Sequence, residues 1–414
     1  MSLSVKVIRK AAISRNSVEG KICNALLRFV TTIRPTFMFG TFGRPSSTDE
    51  FSPWGVIRDK ERRKALMWLT ETGSMSVADI ATRMGKSLSY AEAMLYSIEK
   101  RCLIKKVEQN GEVKYQSLLV LVSPSIVRRM HPVCSVVAEE WTKIIENNIE
   151  RLKNDLEGCG VLSTLSFEEV ACFAVGAMIL DVGTINRLIE EGLMPLPPEK
   201  PGGTRWYMGA YKLPFPPMRN FGVNVFVEPE FGYAYVHSPL TQRTVSPKQL
   251  IDSETKEIIQ VLREKPLGEE ELAHELTEKT RESVGKSLDA SILTRVHMND
   301  EIKLSLNFPY FTRQKQLELR SVYDTILQEL AKSFGRHKPE MREVYRLCDL
   351  ARFSLDFEDT LWMFHEFIYP LCFDRLVETG TLPDIPERVK GNWGFGAWDA
   401  TPLSASLGLG LSFM

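Results

Sequence analysis

The stretch Glu61–Gln116, "ERRKALMWLTETGSMSVADIATRMGKSLSYAEAMLYSIEKRCLIKKVEQNGEVKYQ", carries the punctuation of three helices and a hairpin in one run. It opens with a basic-flanked apolar segment that stops at Gly73, a residue suited to the left-handed turn after a helix. Ser76 with Asp79 three residues on has capping-box spacing and starts a second helix, with Ala81 and Met84 on its inner side and Gly85 at its end. Ser89 with Glu92 repeats that spacing and is expected to open a third helix, whose Ala91, Met94, Leu95, Ile98 and Cys102 recur at helical spacing and face a core. Beyond it, "LIKKVE" and "EVKYQ" flank Asn110-Gly111, the dipeptide best able to supply the two positive φ values of a tight hairpin.

Helix, short helix, capped helix and hairpin is an order that resembles the winged helix-turn-helix of bacterial and archaeal MarR-like and ArsR-like transcriptional regulators. The resemblance is one of pattern and covers about 60 residues. It implies a third helix that enters the major groove of DNA and a hairpin wing that lies along the backbone.

The pattern occurs twice. Ser253–Leu306, "SETKEIIQVLREKPLGEEELAHELTEKTRESVGKSLDASILTRVHMNDEIKLSL", repeats the order with Asn299-Asp300 at the wing tip, and Gly268 with Glu269, Glu270 and Glu271 replaces the Ser76 cap region. "SIEKRCLIKKVEQNGEVK" from Ser97 aligns with "SLDASILTRVHMNDEIK" from Ser287 at an offset of 190, shifting by one at Gly111. Phe167-Glu168-Glu169 and Phe357-Glu358-Asp359 keep that offset. Arg187, Leu188, Glu190 and Gly192 then meet Arg375, Leu376, Glu378 and Gly380 at 188, and Trp206, Gly209, Ala210 and Tyr211 meet Trp393, Gly396, Ala397 and Trp398 at 187. A period this long exceeds any solenoid repeat and reads as a tandem duplication of a two-part unit. The expected fold is therefore mostly α with small β-hairpins (α+β), with two winged-helix domains each followed by a helical segment. The expected boundaries are a basic, flexible segment 1–55, winged helix 1 at 56–122, a helical and aromatic segment 123–245, winged helix 2 at 246–310, a second such segment 311–400 and a flexible tail 401–414.

Charge separates the copies. Arg58–Gln116 holds 12 Lys+Arg against 8 Asp+Glu, a net of +4, whereas Asp252–Leu306 holds 8 against 13, a net of -5. Only the first has the electrostatics of a phosphate reader. Opposite the core of its third helix lie Ser89, Ala93, Tyr96 and Lys100, with Lys86 and Ser87 just before, and these are the candidates for base edges. Lys105, Lys106 and Lys114 lie on or beside the wing as candidates for phosphate. Double-stranded DNA is the expected partner. Ordinary winged-helix regulators place two heads on successive half-sites as dimers, so a fused duplication makes a pseudo-dimer in one chain. The acidic second head suits a protein partner. The competing reading is a non-enzymatic scaffold that binds proteins through both heads, which the overall net charge of -1 favours.

After each head, "VVAEEWTKIIENNIERL" and "LRSVYDTILQELAKSF" show the periodicity of packed helices, which Leu188 with Gly192 and Leu376 with Gly380 bring to a stop. Trp206, Tyr207 and Tyr211, with Trp393, Phe395 and Trp398, are the candidate lining of a pocket for a small-molecule effector, though aromatics at this spacing more often belong to half-buried strands. "FGVNVFVEPEFGYAYVHSP" from Phe221 reads as strand, turn, strand, with the break at Gly232.

The chain as a whole has 414 residues, 43% hydrophobic and 25% charged, the balance of a soluble globular protein of two to four domains. No apolar run approaches the roughly 18 residues of a membrane span. Seven cysteines without a C-x-x-C pair suggest neither a disulfide framework nor a zinc module, and six scattered histidines show no ligand spacing, so no metal or cofactor is expected. No phosphate-cradling loop or nucleophile elbow points to an enzyme. An intracellular location, cytoplasm or nucleoid, fits the cysteines. Met1–Ser47, with 8 Lys+Arg against Glu19 alone, reads as a flexible leader, as a basic arm on nucleic acid, or as an organellar transit peptide.

Overall fold

A computed structural model describes residues 37–44, 50–201, 203–212, 222–227, 231–236, 251–348, 350, 355–384 and 394–400. The expected leader up to residue 36, the tail from residue 401, and Trp393 lie outside the described residues.

The protein mixes helices with small sheets. Its first elements are β1 (Phe37–Arg44), α1 (Trp54–Arg58), α2 (Lys60–Thr72), β2 (Ser74–Met75), α3 (Val77–Met84), α4 (Leu88–Glu99), β3 (Ile104–Gln109) and β4 (Glu112–Ser117). Asp59 caps α2 by accepting from the backbone N–H groups of Glu61 and Arg62, and Gly73 closes it at φ 89°. The Ser76–Asp79 capping box is formed. The third helix starts two residues earlier than its second capping-box spacing suggests: Ser87 is the N-cap, its hydroxyl accepting from the N–H of Tyr90, and Ser89 lies inside the first turn. A cap needs extended backbone, and Ser87 has it at φ -69°, ψ 156°. Ala91, Met94, Leu95 and Ile98 are buried as expected. Cys102 lies beyond the helix, where its φ of 53° turns the chain into β3. The wing pairs β3 with β4 about Asn110-Gly111, both at positive φ, and β2 adds a third strand.

The same order follows at α8 (Ser253–Leu262), α9 (Glu269–Glu275), α10 (Glu278–Asp289), β10 (Leu293–Met298) and β11 (Glu301–Leu306). Here a bridge between Leu267 and Leu304 takes the place of β2. Among the described residues, all five non-glycine residues at positive φ fall at matching places: Cys102 with Ser291, Asn110 with Asn299, and Asp300 with Gly111, each 189 apart. The caps Ser87 and Thr277 are 190 apart. The one-residue slip therefore falls in the turn after the third helix, between Glu99 and Cys102, rather than at Gly111.

Past the wings the correspondence continues in the strands. β5 (Val120–Val122) runs parallel to β7 (Thr204–Lys212), with Val122 opposite Tyr211, and β12 (Tyr310–Phe311) runs parallel to β13 (Phe395–Asp399), with Phe311 opposite Trp398. On the other edge of β7 lies β1, antiparallel, with Phe39 opposite Ala210; on the other edge of β13 lies β9 (Phe231–Val236), with Tyr233 opposite Ala397. Part of the segment expected to be a flexible basic leader, residues 37–44, is thus a paired strand. β6 (Glu199–Lys200) and β8 (Val223–Val227) complete the two sheets. Gly232 sits inside β9 instead of at the turn, because the Trp398 ring crosses it and a Cβ there would lie 2.2 Å from that ring.

Two long helices, α5 (Pro124–Gly158) and α11 (Arg313–Arg336), follow β5 and β12, with α12 (Lys338–Leu347) after the second. Ser123 and Thr312, 189 apart, cap them through their hydroxyls. They pack with a helical run made of α6 (Phe167–Ala171), a π-helical segment (Cys172–Gly183) and α7 (Thr184–Glu190), and with α13 (Leu361–Glu378), entered through a 3₁₀ turn at Glu358–Thr360. Residues 167–190 are long and apolar enough to cross a membrane, with Asp181 set inside the apolar run. This corrects the expectation that no apolar run approaches such a length; 83% of its most apolar 18 residues are buried in this fold, the environment of a core helix. The π segment also matches the slip from 190 to 188 between the two aligned stretches of sequence. An i→i+5 helix uses more residues per turn than an α-helix, so the first run fits 13 residues between Ala174 and Arg187 where α13 needs 11 between Phe364 and Arg375.

Candidate functional site

On the first head, α4 turns Ala91, Met94, Leu95 and Ile98 inward, and helical period then points Leu88, Tyr96, Ser89, Glu92 and Ala93 outward. Leu88 is 57% exposed, Tyr90 43% and Tyr96 63%, so the face is apolar and aromatic as well as polar. On the matching helix α10 the outward positions are Glu278, Lys279, Arg281, Glu282, Gly285, Lys286 and Asp289, charged groups and a glycine. The two wing tips are alike, each exposing one apolar residue, Val113 and Ile302.

Most of the candidate lysines, on the helix as well as the wing, already hold a carboxylate. Lys86 pairs with Glu61 (3.6 Å), Lys100 with Glu50 (2.6 Å), Lys106 with Glu99 (3.6 Å) and Lys114 with Glu112 (3.5 Å). Glu61 also accepts from the Tyr90 hydroxyl, and that bond is the main reason its pKa is lowered. Lys106 lies 5.8 Å over the Tyr115 ring. Exposed pairs of this kind are worth about 0–1 kcal/mol, so a phosphate can displace them at small cost. The pleat also divides the lysines of the wing. Lys105 and Lys114 share one face, whereas Lys106, opposite Tyr115, points to the other, toward the end of α4.

The aromatic candidates are core residues. Trp206, Tyr207 and Tyr211 on β7, and Phe395 and Trp398 on β13, are all buried, and the two groups belong to different sheets. Tyr207 stacks with Phe42 and Trp362 and donates to Asp359. Phe395 meets Phe308 edge-on at 4.6 Å. Two surface cavities are lined by other side chains, one between Val161, Leu262, Phe308 and Tyr310, the other beside Thr142 and Arg375.

A constellation that the linear sequence hid lies where the π segment meets α13. Asp181, His365 and Glu366 each place one potential ligand atom within 4.8 Å of the others. His365 is fully buried, and its Nε2–H donates to the Leu180 carbonyl at 3.0 Å. Burial lowers its pKa to about 3, so the ring is neutral and its remaining nitrogen, Nδ1, is an unprotonated acceptor, buried without a partner. Asp181 is buried, which raises its pKa, and it accepts from the Val223 N–H. Glu366 is partly exposed as a residue, yet desolvation dominates at its carboxyl and the nearby Asp181 adds to it, so its pKa is also raised. The Tyr369 hydroxyl, buried without a hydrogen-bond partner, is near enough to feel both carboxyls. The visible signal was an Asp in "CFAVGAMILDVG" and a His-Glu pair in "LWMFHEFIYPLCF", polar groups set into otherwise apolar helix.

No known protein family, curated protein or solved structure matches this chain.

Proposed function

We propose that this protein is a DNA-binding transcriptional regulator in which two winged-helix heads are fused as a pseudo-dimer, with the first head contacting double-stranded DNA. The observation that carries the reading is the contrast between the third helices. α4 projects Ser89 and Tyr96 from a head of net charge +4, while α10 projects alternating charges from a head of net charge -5. The repeated element order, the matching positive-φ residues and the shared wing turn support the duplication. A helix of this kind approaches base edges through Ser89 and Tyr96, while the Lys105 and Lys114 face of the wing neutralises phosphate without reading sequence. No effector pocket is proposed at the aromatic candidates, because they are buried as core residues in two different sheets.

The second reading is a scaffold that binds protein through the same face. The exposed Leu88, Tyr90 and Tyr96, together with the carboxylates that pair with Lys86, Lys100 and Lys106, favour it. Fluorescence anisotropy of the full chain with labelled random duplex DNA, at about 50 and 200 mM salt, separates the two. A DNA reader binds at the lower salt and weakens with a log–log slope of about -0.9 per phosphate contacted. Absence of binding at the lower salt would rule out the DNA reading and leave the scaffold.

A further inference from the structure

The buried cluster at the junction of the π segment and α13 is unrelated to the exposed face of the first head. Its components come from both halves of the chain, Asp181 from the first and His365, Glu366 and Tyr369 from the second. Two acids in one apolar enclosure are unfavourable as a pair of anions, and among the described residues neither forms an ion pair with a Lys or Arg. Three features beyond the acids point to a ligand. His365 presents a neutral imidazole with an unprotonated, unpartnered nitrogen in the core. Its opposite nitrogen is fixed by a backbone carbonyl, the arrangement that sets the tautomer of metal-binding histidines. Tyr369 adds a fully buried hydroxyl without a partner.

We propose that Asp181, His365 and Glu366 together bind a divalent first-row transition-metal ion. Ligand bonds of about 2.0–2.2 Å place the atoms around such an ion roughly 3–4 Å apart. Groups already within 4.8 Å need only a small inward rotation of their side chains. One imidazole with two carboxylates suits zinc, iron or manganese, because imidazole favours the transition ions and thiolates are missing from the cluster. The Leu180 carbonyl on His365 and the Val223 N–H on Asp181 form an outer shell that orients the ligands. A π segment commonly marks a functional position in a helix, and here it carries both Leu180 and Asp181. With three protein ligands, the ion keeps room for a further oxygen, from Tyr369 or from water. Binding would clamp one half of the chain to the other, independently of whether the first head reads DNA.

The test uses the full-length protein, stripped with a chelator and then titrated separately with Zn²⁺, Mn²⁺, Co²⁺ and Mg²⁺ salts. Uptake is read by elemental analysis, the thermal midpoint by calorimetry, and the ligand atoms by X-ray absorption. The expected result is about one equivalent of a transition ion, a higher midpoint, a mixed nitrogen and oxygen shell, and no comparable response to Mg²⁺. Glu366→Gln and His365→Gln should each weaken binding at least about tenfold while the far-UV circular dichroism is kept. Failure of the wild type to take up an ion at micromolar concentration overturns the proposal and leaves a pair of carboxylic acids sharing protons. Uptake unchanged in the two variants, or a shell containing sulfur or only oxygen, also overturns it. If both variants fail to fold, the wild-type stoichiometry and shell decide alone.

Discussion

Arg375 donates to the carbonyl and hydroxyl oxygens of Ser135 at 2.7 and 2.6 Å, and Arg187, 188 residues before it, donates at 3.1 Å to Asp324, 189 residues beyond Ser135. Each arginine ends the helical run of one half and reaches the long helix of the other. A second pair behaves in the same way: the Tyr323 hydroxyl donates to the Ala174 carbonyl at 3.4 Å, and the Cys134 thiol lies 4.0 Å from the Phe364 carbonyl. Contacts in which i meets j and the counterpart of j meets the counterpart of i are the mark of a two-fold interface between identical subunits. Their presence within one chain supports the proposed pseudo-dimer more directly than any stretch of sequence identity does.

If these contacts hold the halves together, removing either arginine should lower stability without altering the heads. Arg375→Ala is expected to cost about 1–2 kcal/mol, the worth of hydrogen bonds from a charged donor, and Arg187→Ala about 1 kcal/mol because its partner carboxylate is more accessible to water. The two effects should add to within a few tenths in the double variant, the bonds having no shared partner. Urea denaturation followed by circular dichroism measures all three. An unchanged midpoint for Arg375→Ala would take that contact out of the account.

Cys102 and Ser291 occupy the left-handed region at φ 53° and 59°, a conformation that costs a residue with a Cβ roughly 1–2 kcal/mol. Glycine avoids that cost but loses about 0.5–1 kcal/mol more entropy on folding. Ser291→Gly is therefore expected to stabilise the protein by up to about 1 kcal/mol, and Cys102→Gly by less, since the Cys102 side chain is half-buried and Ser291 is exposed. Calorimetric midpoints of both variants check this. A drop for Ser291→Gly would mean that its side chain, not its backbone, matters at the turn.

Local chemistry in the sequence revealed the helices and wings, because Ser76–Asp79, Gly73 and Asn110-Gly111 act over three or four residues. The cap at Ser87 was not legible, because the capping-box spacing falls on Ser89 and Glu92 while Ser87 has Tyr90 three residues on. β1 was hidden in a basic, serine-containing stretch, and its partner β7 lies about 170 residues away. The cluster of Asp181, His365 and Glu366 was hidden twice over: its members are 184 residues apart, and the π segment breaks the 3.6-residue period by which a polar face is recognised.

Glu140 ties the two long helices, accepting from Ser333 (2.7 Å), Arg336 (2.7 Å) and His337 (3.0 Å). Partial burial alone would raise its pKa, but these donors outweigh it and bring the value down to about 2. A carboxyl depressed in the folded state contributes stability that is complete above its unfolded pKa of about 4.3 and is lost as the pH falls toward the folded value. Glu140→Gln should therefore destabilise by about 1 kcal/mol near pH 7, a figure kept small because the side chain is 33% exposed. The gap from wild type should narrow between about pH 4.3 and pH 2. Urea midpoints at pH 7 and pH 3 would contradict this if the gap stayed constant.

The proposed inequality of the heads can be tested in the intact chain with matched losses of charge. Replacing Lys105, Lys106 and Lys114 with alanine removes three cations from the first head, and replacing Lys279, Arg281 and Lys286 removes three from the second. Only the first head has the positive field that attracts phosphate over distance, so only the first change should matter. Lys106 and Lys114 must leave Glu99 and Glu112 to reach DNA, and Lys106 points away from the other two. The expected reduction in salt slope is therefore nearer two phosphates than three, about 1.8 on the log–log scale. Affinity for random duplex at low salt should fall at least tenfold for the first variant and less than about threefold for the second, differences of roughly 1.4 and 0.65 kcal/mol. Anisotropy titrations at several salt concentrations supply both numbers. Equal losses would make the heads equivalent on DNA, and loss only in the second variant would reverse their assignment.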